Sequence, residues 1–274
     1  MRIRESYGIF NRIEELIDNL EELENAVLSG DKYVELQEVN FITPLSILPL
    51  AIYSCQNNIF INCTEISYSI NNYLETICFP QGLTELPTQQ KRYLPITRLP
   101  PVEENAVLGR YEDSILSQTA ECDCITSFRN SLKHLTSELV NNVNEHAKID
   151  HYWLLAQYYK NNNTCEIVLA DCGIGYRESY VNTEFEVDND TDAIINALEG
   201  KSSKKKPKER GYGIPTIENL FVNGYGGKLV IISGNSGIYY KKDERTKFDL
   251  KSYWQGSLVG INFNLKTVDF YRYI

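Results

Sequence analysis

Apolar residues recur at helical spacing near the start of the chain: Ile9, Ile13, Leu16, Ile17, Leu20 and Leu23 fall on one helix face. Tyr33 to Leu36 and Val39 to Ile42 read as short strands, and Leu45 to Ser54 as a buried helix with Pro44 tolerated at its start. Ile59 to Ile61 reads as a strand, and Ile66, Ile70, Tyr73, Leu74 and Ile77 as one face of a further helix. Alternating units of this size predict a small α/β domain over residues 1–80. Beyond it, Val107, Leu108, Tyr111, Ile115 and Leu116 continue helically, and a second helix is predicted from Ser127 to Ala147. Strands are predicted over 151–160, 165–170, 227–233, 236–241 and 256–265, with helices near 190–199 and 215–222. This irregular order predicts the α+β class, a two-layer sandwich over residues 105–274.

Proline and glycine punctuate the pattern unevenly. Five of the nine prolines fall between Pro80 and Pro101, so residues 81–104 are expected to be a linker or a strap, neither helix nor central strand. Twelve of the 16 glycines follow residue 170, which expects tight turns or close backbone approaches there. The formal net charge of −10 argues against a general nucleic-acid or membrane-surface binder. The seven cysteines include no C-x-x-C pair and stand beside few histidines, so zinc has little support and buried free thiols are expected. The N-terminus has no apolar signal segment, and the stretch Phe41 to Tyr53 is broken by Thr43, Pro44, Ser46 and Pro49. A cytoplasmic location is expected, with neither nucleic acid nor membrane as partner.

Three segments carry chemistry. Glu138 and Asn142 lie four residues apart, hence one turn apart on one face of the predicted helix. A carboxylate above a carboxamide can orient a water and offer hard oxygen to Mg²⁺. Next, the apolar run Ile167 to Ala170 delivers Asp171, followed by Gly173 and Gly175. The carboxylate can accept from an exocyclic amine while the glycines let a flat ligand approach; a simple turn is the plain alternative. Finally, Gly211 and Gly213 precede Ile214, Pro215 and an apolar helix, exposing N–H groups that suit a phosphate. Upstream, Lys201 to Arg210 reads either as a solvated loop or as a mobile cationic lid.

In this order the three segments resemble the N, G1 and G2 boxes of the GHKL (Bergerat-fold) ATPases, of the histidine-kinase and anti-sigma branch. Gly226 to Gly234 resembles the strand after the lid helix, and Gly256-Ser257 to Phe263 the closing strand, usually begun by Gly-Thr. The resemblance spans roughly residues 125–265. It implies ATP and Mg²⁺ as cofactors: Asn142 would hold Mg²⁺, Glu138 would be the general base, and Asp171 would bind adenine with Gly173 and Gly175 beside it. Gly211, Gly213 and Ile214 would give backbone to the phosphates, and Ser257 would assist at the adenine. His146 stands where that branch often has His, and a helix-face histidine explains it equally. The second box has only two glycines, a departure from the family pattern.

Residues 34–50, with Tyr73-Leu74 and Cys78 to Pro80, resemble a degenerate STAS-type interaction domain, found with bacterial anti-sigma regulators. Thr43 and Ser46 sit near the phosphoacceptor position of that family; ordinary helix-start residues are the alternative. The combined resemblance implies a regulatory protein that binds ATP, with weak Mg²⁺-dependent hydrolysis or serine/threonine kinase activity. The alternative is a non-catalytic, nucleotide-dependent interaction switch. ATP or ADP and a protein partner of the N-terminal domain are the expected partners, and a homodimer stays open. A sensor kinase is disfavoured, because His134 is followed by Leu135 where such kinases carry Glu.

Overall fold

The computed structural model describes residues 2–3, 13–36, 41–64, 66–86, 93–101, 106–119, 124–201 and 213–274. The N-terminal part runs β1 (Arg2–Ile3), α1 (Ile13–Ser29), β2 (Tyr33–Leu36), α2 (Pro44–Asn57), β3 (Phe60–Asn62) and α3 (Tyr68–Thr76). Its three strands form a parallel sheet in the order β1-β2-β3. The remainder runs β4 (Thr97–Leu99), α4 (Ala106–Gln118), α5 (Ile125–Asn142), β5 (Tyr152–Tyr159), β6 (Thr164–Asp171), α6 (Gly175–Ser179), α7 (Asp190–Leu198), α8 (Gly213–Ile217), β7 (Lys228–Lys241) and β8 (Glu244–Asn264). Its sheet is antiparallel throughout, in the order β4-β5-β6-β8-β7. The chain is thus α+β, as its pattern predicts.

Side chains alternate between the two faces of a strand, and here both faces are covered. Tyr152, Leu154, Ile167, Leu169 and Ile261 face the core built with α4, α5 and α8. Trp153, Leu155, Val168, Ala170 and Leu258 face the other way, onto Leu16 and Leu20 of α1 and Leu45 and Leu48 of α2. A strand buried on both faces reads as a continuous apolar run, which is how Ile167 to Ala170 looks in the sequence.

One carboxylate joins the N-terminal part to the sheet. Glu166 of β6 is 2% exposed. It accepts from the Leu45 N–H in the first turn of α2 (2.9 Å) and from Asn262 Nδ2 (3.1 Å). The positive end of α2 favours an anion at that place. The same turn is closed by a capping box, with Thr43 Oγ1 accepting from Ser46 N and Ser46 Oγ from Thr43 N. Thr43 and Ser46 are 3% and 6% exposed, so both hydroxyls serve the helix start and neither is open to a kinase. Outside this joint, Lys251 meets Glu21 at 2.9 Å and Tyr253 N–H donates to Glu24 at 3.0 Å.

Several expectations are corrected. Thr97–Leu99 of the Pro-rich segment pairs with β5 as the sheet's edge strand, the one sheet position that spares a proline-rich neighbour the loss of ladder donors. Phe41 and Ile42 lie outside any strand; the remainder of the strand expected at 39–42, and the start of the helix expected from Ile9, fall outside the described residues. The helix expected from Ser127 to Ala147 is α-helical only to Asn142, then π-helical over Val143–Ala147. The two β segments expected at 227–233 and 236–241 are one strand, and β8 runs unbroken from Glu244. Of the cysteines described, 55, 63, 78, 165 and 172 are free, whereas Cys124 is disulfide-bonded. No helix of the described residues is long and apolar enough to cross a membrane.

Burial pushes the Glu166 carboxyl up from 4.5 to about 7, against the lowering effect of its hydrogen bonds from Leu45 and Asn262. A raised acid pKa means that the native state keeps a proton which the unfolded chain releases. Stability therefore falls as pH rises from about 4.5 to about 7 and then levels off. Measured by urea unfolding, wild type should lose on the order of 3 kcal/mol relative to Glu166→Gln across that window. Parallel pH profiles for the two proteins would contradict this role of Glu166.

Candidate functional site

Helix α5 buries Phe128, Leu132, Leu135 and Leu139 at helical spacing, which leaves Glu138 half-buried at the margin. Two polar contacts orient α5 against the segment from α8 onward: His134 Nε2 lies 2.7 Å from Thr216 Oγ1, and the Tyr225 hydroxyl donates to Ser131 Oγ at 3.0 Å. Gly213, at φ +53°, begins α8, and a Cβ built there would stand 4.0 Å from Glu138 Oε2. The expected base and the expected phosphate turn therefore face each other. Ile214 follows as a buried anchor of α8. Gly211 and residues 202–210 of the basic run lie outside the described residues. The described base of that run is held, with the Tyr180 hydroxyl donating to the Lys201 carbonyl at 2.6 Å.

One turn beyond Glu138, the Asn142 Nδ2 is buried with no hydrogen-bond partner among the described residues. Both polar atoms of Asn144 are in the same state, a residue that the sequence pattern did not single out. A buried, unpaired amide costs about 1–3 kcal/mol, so these carboxamides sit where the π-helical turn begins with unused hydrogen-bonding capacity. π-helical turns often accompany functional positions. His146 belongs to that turn, and its side chain lies outside what is described.

Asp171 ends β6 and is 3% exposed. Its Oδ1 accepts from the Gly173 N–H at 2.8 Å, and its Oδ2 accepts from Ser257 Oγ at 2.5 Å. Ser257 is its register partner on β8, 86 residues away. Burial raises the Asp171 carboxyl above its ordinary value, while the Ser257 hydroxyl and the N–H groups of Gly173 and Ser257 oppose the rise. Carboxylate oxygens have more lone pairs than these donors use. A further N–H donor would favour the ionised form.

The glycines around Asp171 are demanded by the chain itself. A Cβ on Gly173 would stand 2.2 Å from the Ala147 carbonyl oxygen, and one on Gly256 2.2 Å from the Asp171 carbonyl oxygen. Gly175, at φ +73°, abuts Ser233 Oγ, which accepts from Tyr176 N–H and donates to the Gly256 carbonyl. Gln255 Nε2 donates to the Gly173 carbonyl. Gln255 and Ser233 were not legible as site residues, since neither carries a motif. The expected residues are thus linked in a chain: Asp171 is bonded to Ser257 and Gly173, Gly173 abuts Ala147 at the end of the turn that continues the helix bearing Asn142 and Glu138, and Glu138 faces Gly213.

The chain matches no model of a known protein family, no curated protein and no solved structure.

As for metals, no cluster of three or more His, Cys, Asp or Glu among the described residues could hold an ion. Glu138 and Asn142 supply hard oxygens only, which fits Mg²⁺ when waters and phosphate oxygens complete its shell. Gly173→Ala should lower stability by about 2–3 kcal/mol, because backbone fills the space of the new methyl group. Gly109→Ala, within α4 and with nothing near, should raise it by about 0.5–1 kcal/mol. Denaturant midpoints of both variants check this; an unaffected Gly173→Ala would contradict the close approach to Ala147.

Proposed function

We propose that residues 105–274 form an ATP-binding unit of the GHKL type, and that the protein is a nucleotide-dependent regulator. The observation that carries this reading is the Asp171–Ser257 pair. A carboxylate 3% exposed at a strand end, with spare acceptor capacity, is matched to an exocyclic amine such as that of adenine. Phosphates extend from there toward Gly213 and Ile214, whose backbone starts a helix and favours anions. Asn142 and Glu138 stand between the two ends, with Gly173 and Gly175 shaping the turn beside the base.

In this reading Asn142 offers its oxygen to Mg²⁺ and its unpaired amide nitrogen to phosphate oxygen. Bound Mg²⁺ neutralises charge developing on the phosphates. Glu138, one turn away, takes the proton of the attacking water or of an acceptor hydroxyl. A specific observation also favours the non-catalytic switch. Tyr33 and Phe60 of the STAS-like N-terminal part are 69% and 61% exposed and stack edge to face at 5.9 Å, a surface suited to a protein partner or to a second copy.

Calorimetry with Mg·ATP tests the reading. Wild type should bind, and Asp171→Asn should lose roughly 3 kcal/mol, about a hundredfold in affinity, with its unfolding midpoint retained. Glu138→Gln should bind like wild type and release no ADP above background. Absent binding by wild type, or full affinity in Asp171→Asn, would overturn the assignment. Equal ADP release by wild type and Glu138→Gln, with binding intact, would leave the switch as the function.

A further inference from the structure

A cavity of about 480 Å³ opens on the outer face of the five-stranded sheet, where the end of α2 and the loop 148–151 meet β4 and β5. That volume is typical of small-molecule sites and far exceeds the need of a bare inorganic anion. Arg98 and Trp153 are register partners on β4 and β5, and the guanidinium carbon stands 5.4 Å from the indole centroid. Stacking fixes the direction of a side chain that pairs well with two-oxygen anions. Arg98 Nε is buried without a hydrogen-bond partner among the described residues. Lys148, at φ +52°, and His151, 5.7 Å from the Trp153 ring, line the same space. Asp150 is the single acidic side chain among the described lining residues. Burial, and after it Arg98, holds the His151 imidazole below its ordinary value, against the raising effect of Asp150.

We propose that this cavity binds a small organic oxyanion, a phosphate ester or a carboxylate, with its charged head on Arg98 and Lys148 and its body along Trp153. Arg98 Nε then gains the acceptor it lacks, and the excess of basic over acidic side chains is neutralised. Its lining includes Cys172, next in the chain to Asp171, so the cavity borders the proposed nucleotide site, while anion binding at Arg98, Lys148 and Trp153 requires nothing of Asp171.

The chain has two tryptophans, so the indole N–H signal of Trp153 is assigned by comparison with Trp254→Phe. Phenyl phosphate, benzoate and neutral phenol are each titrated while that signal is followed. A saturable shift is expected with at least one of the two anions, and the one that binds identifies the head group. Phenol should produce none. Arg98→Gln should weaken the anion by about tenfold or more, and Lys148→Gln, on an exposed loop that tolerates change, by several-fold. If Arg98→Gln does not fold, Lys148→Gln decides alone. No shift with either anion, an equal shift with phenol, or unchanged affinity in the folded variants overturns the proposal.

Discussion

At Gly173 the backbone passes so close to the Ala147 carbonyl that no side chain fits between them. This contact locks the turn after β6 to the last turn of the long helix, with the Ile174 N–H donating to the same carbonyl at 3.2 Å. Its consequence is positional. Asp171 lies two residues before the contact, and Asn142 lies in the helix that ends at it, so the recognition end and the phosphate end of the proposed site are set by one approach. The helix widens into a π turn over Val143–Ala147 and stops at Lys148 in a left-handed conformation. Gly256 closes the arrangement from β8, where its missing side chain lets Asp171 and Gly173 reach the strand that carries Ser257.

Two buried carboxylates on the same central strand divide the work of the molecule. Both are pushed up by burial. Glu166, in the middle of β6, is engaged by α2 and Asn262 and ties the N-terminal part to the outer face of the sheet. Asp171, at the end of β6, is engaged among the described residues by its own turn and by Ser257, and retains acceptor capacity. One carboxylate is spent on architecture, and the other is the one proposed to meet the adenine amine. The same sheet carries α5 and α8 on one face and α1 and α2 on the other, so both helical layers share a common support.

Much of this arrangement was legible in the sequence. The continuous apolar run Ile167 to Ala170, the i, i+4 pair Glu138 and Asn142, and the helix start at Thr43 and Pro44 depend on local pattern, and local pattern is what a sequence displays directly. The lower arm of β8 does carry the period-2 signal of a half-buried strand in Phe248, Leu250, Ser252 and Trp254, but the charged run around Glu244, Arg245 and Lys247 and the polar Ser252 weaken it, and its cover comes from α1 and α2, far away in sequence. Thr97–Leu99 was hidden among prolines, which exclude a central strand but permit an edge. The partners of Gly173 and Gly256 are far away in sequence, so their steric cause could not be read from the glycines alone. The same holds for Gln255 and Ser233.

A nucleotide surrounded by Asp171, Ser257, Gly173, Asn142 and Gly213 should be visible in amide spectra of labelled protein taken with and without Mg·ATP. The largest shifts are expected at Asn142, Gly173, Gly213 and Ser257, with Leu45 and Asn262 at the Glu166 joint nearly unmoved. No saturable change, or changes concentrated at that joint and on the outer face, would contradict it.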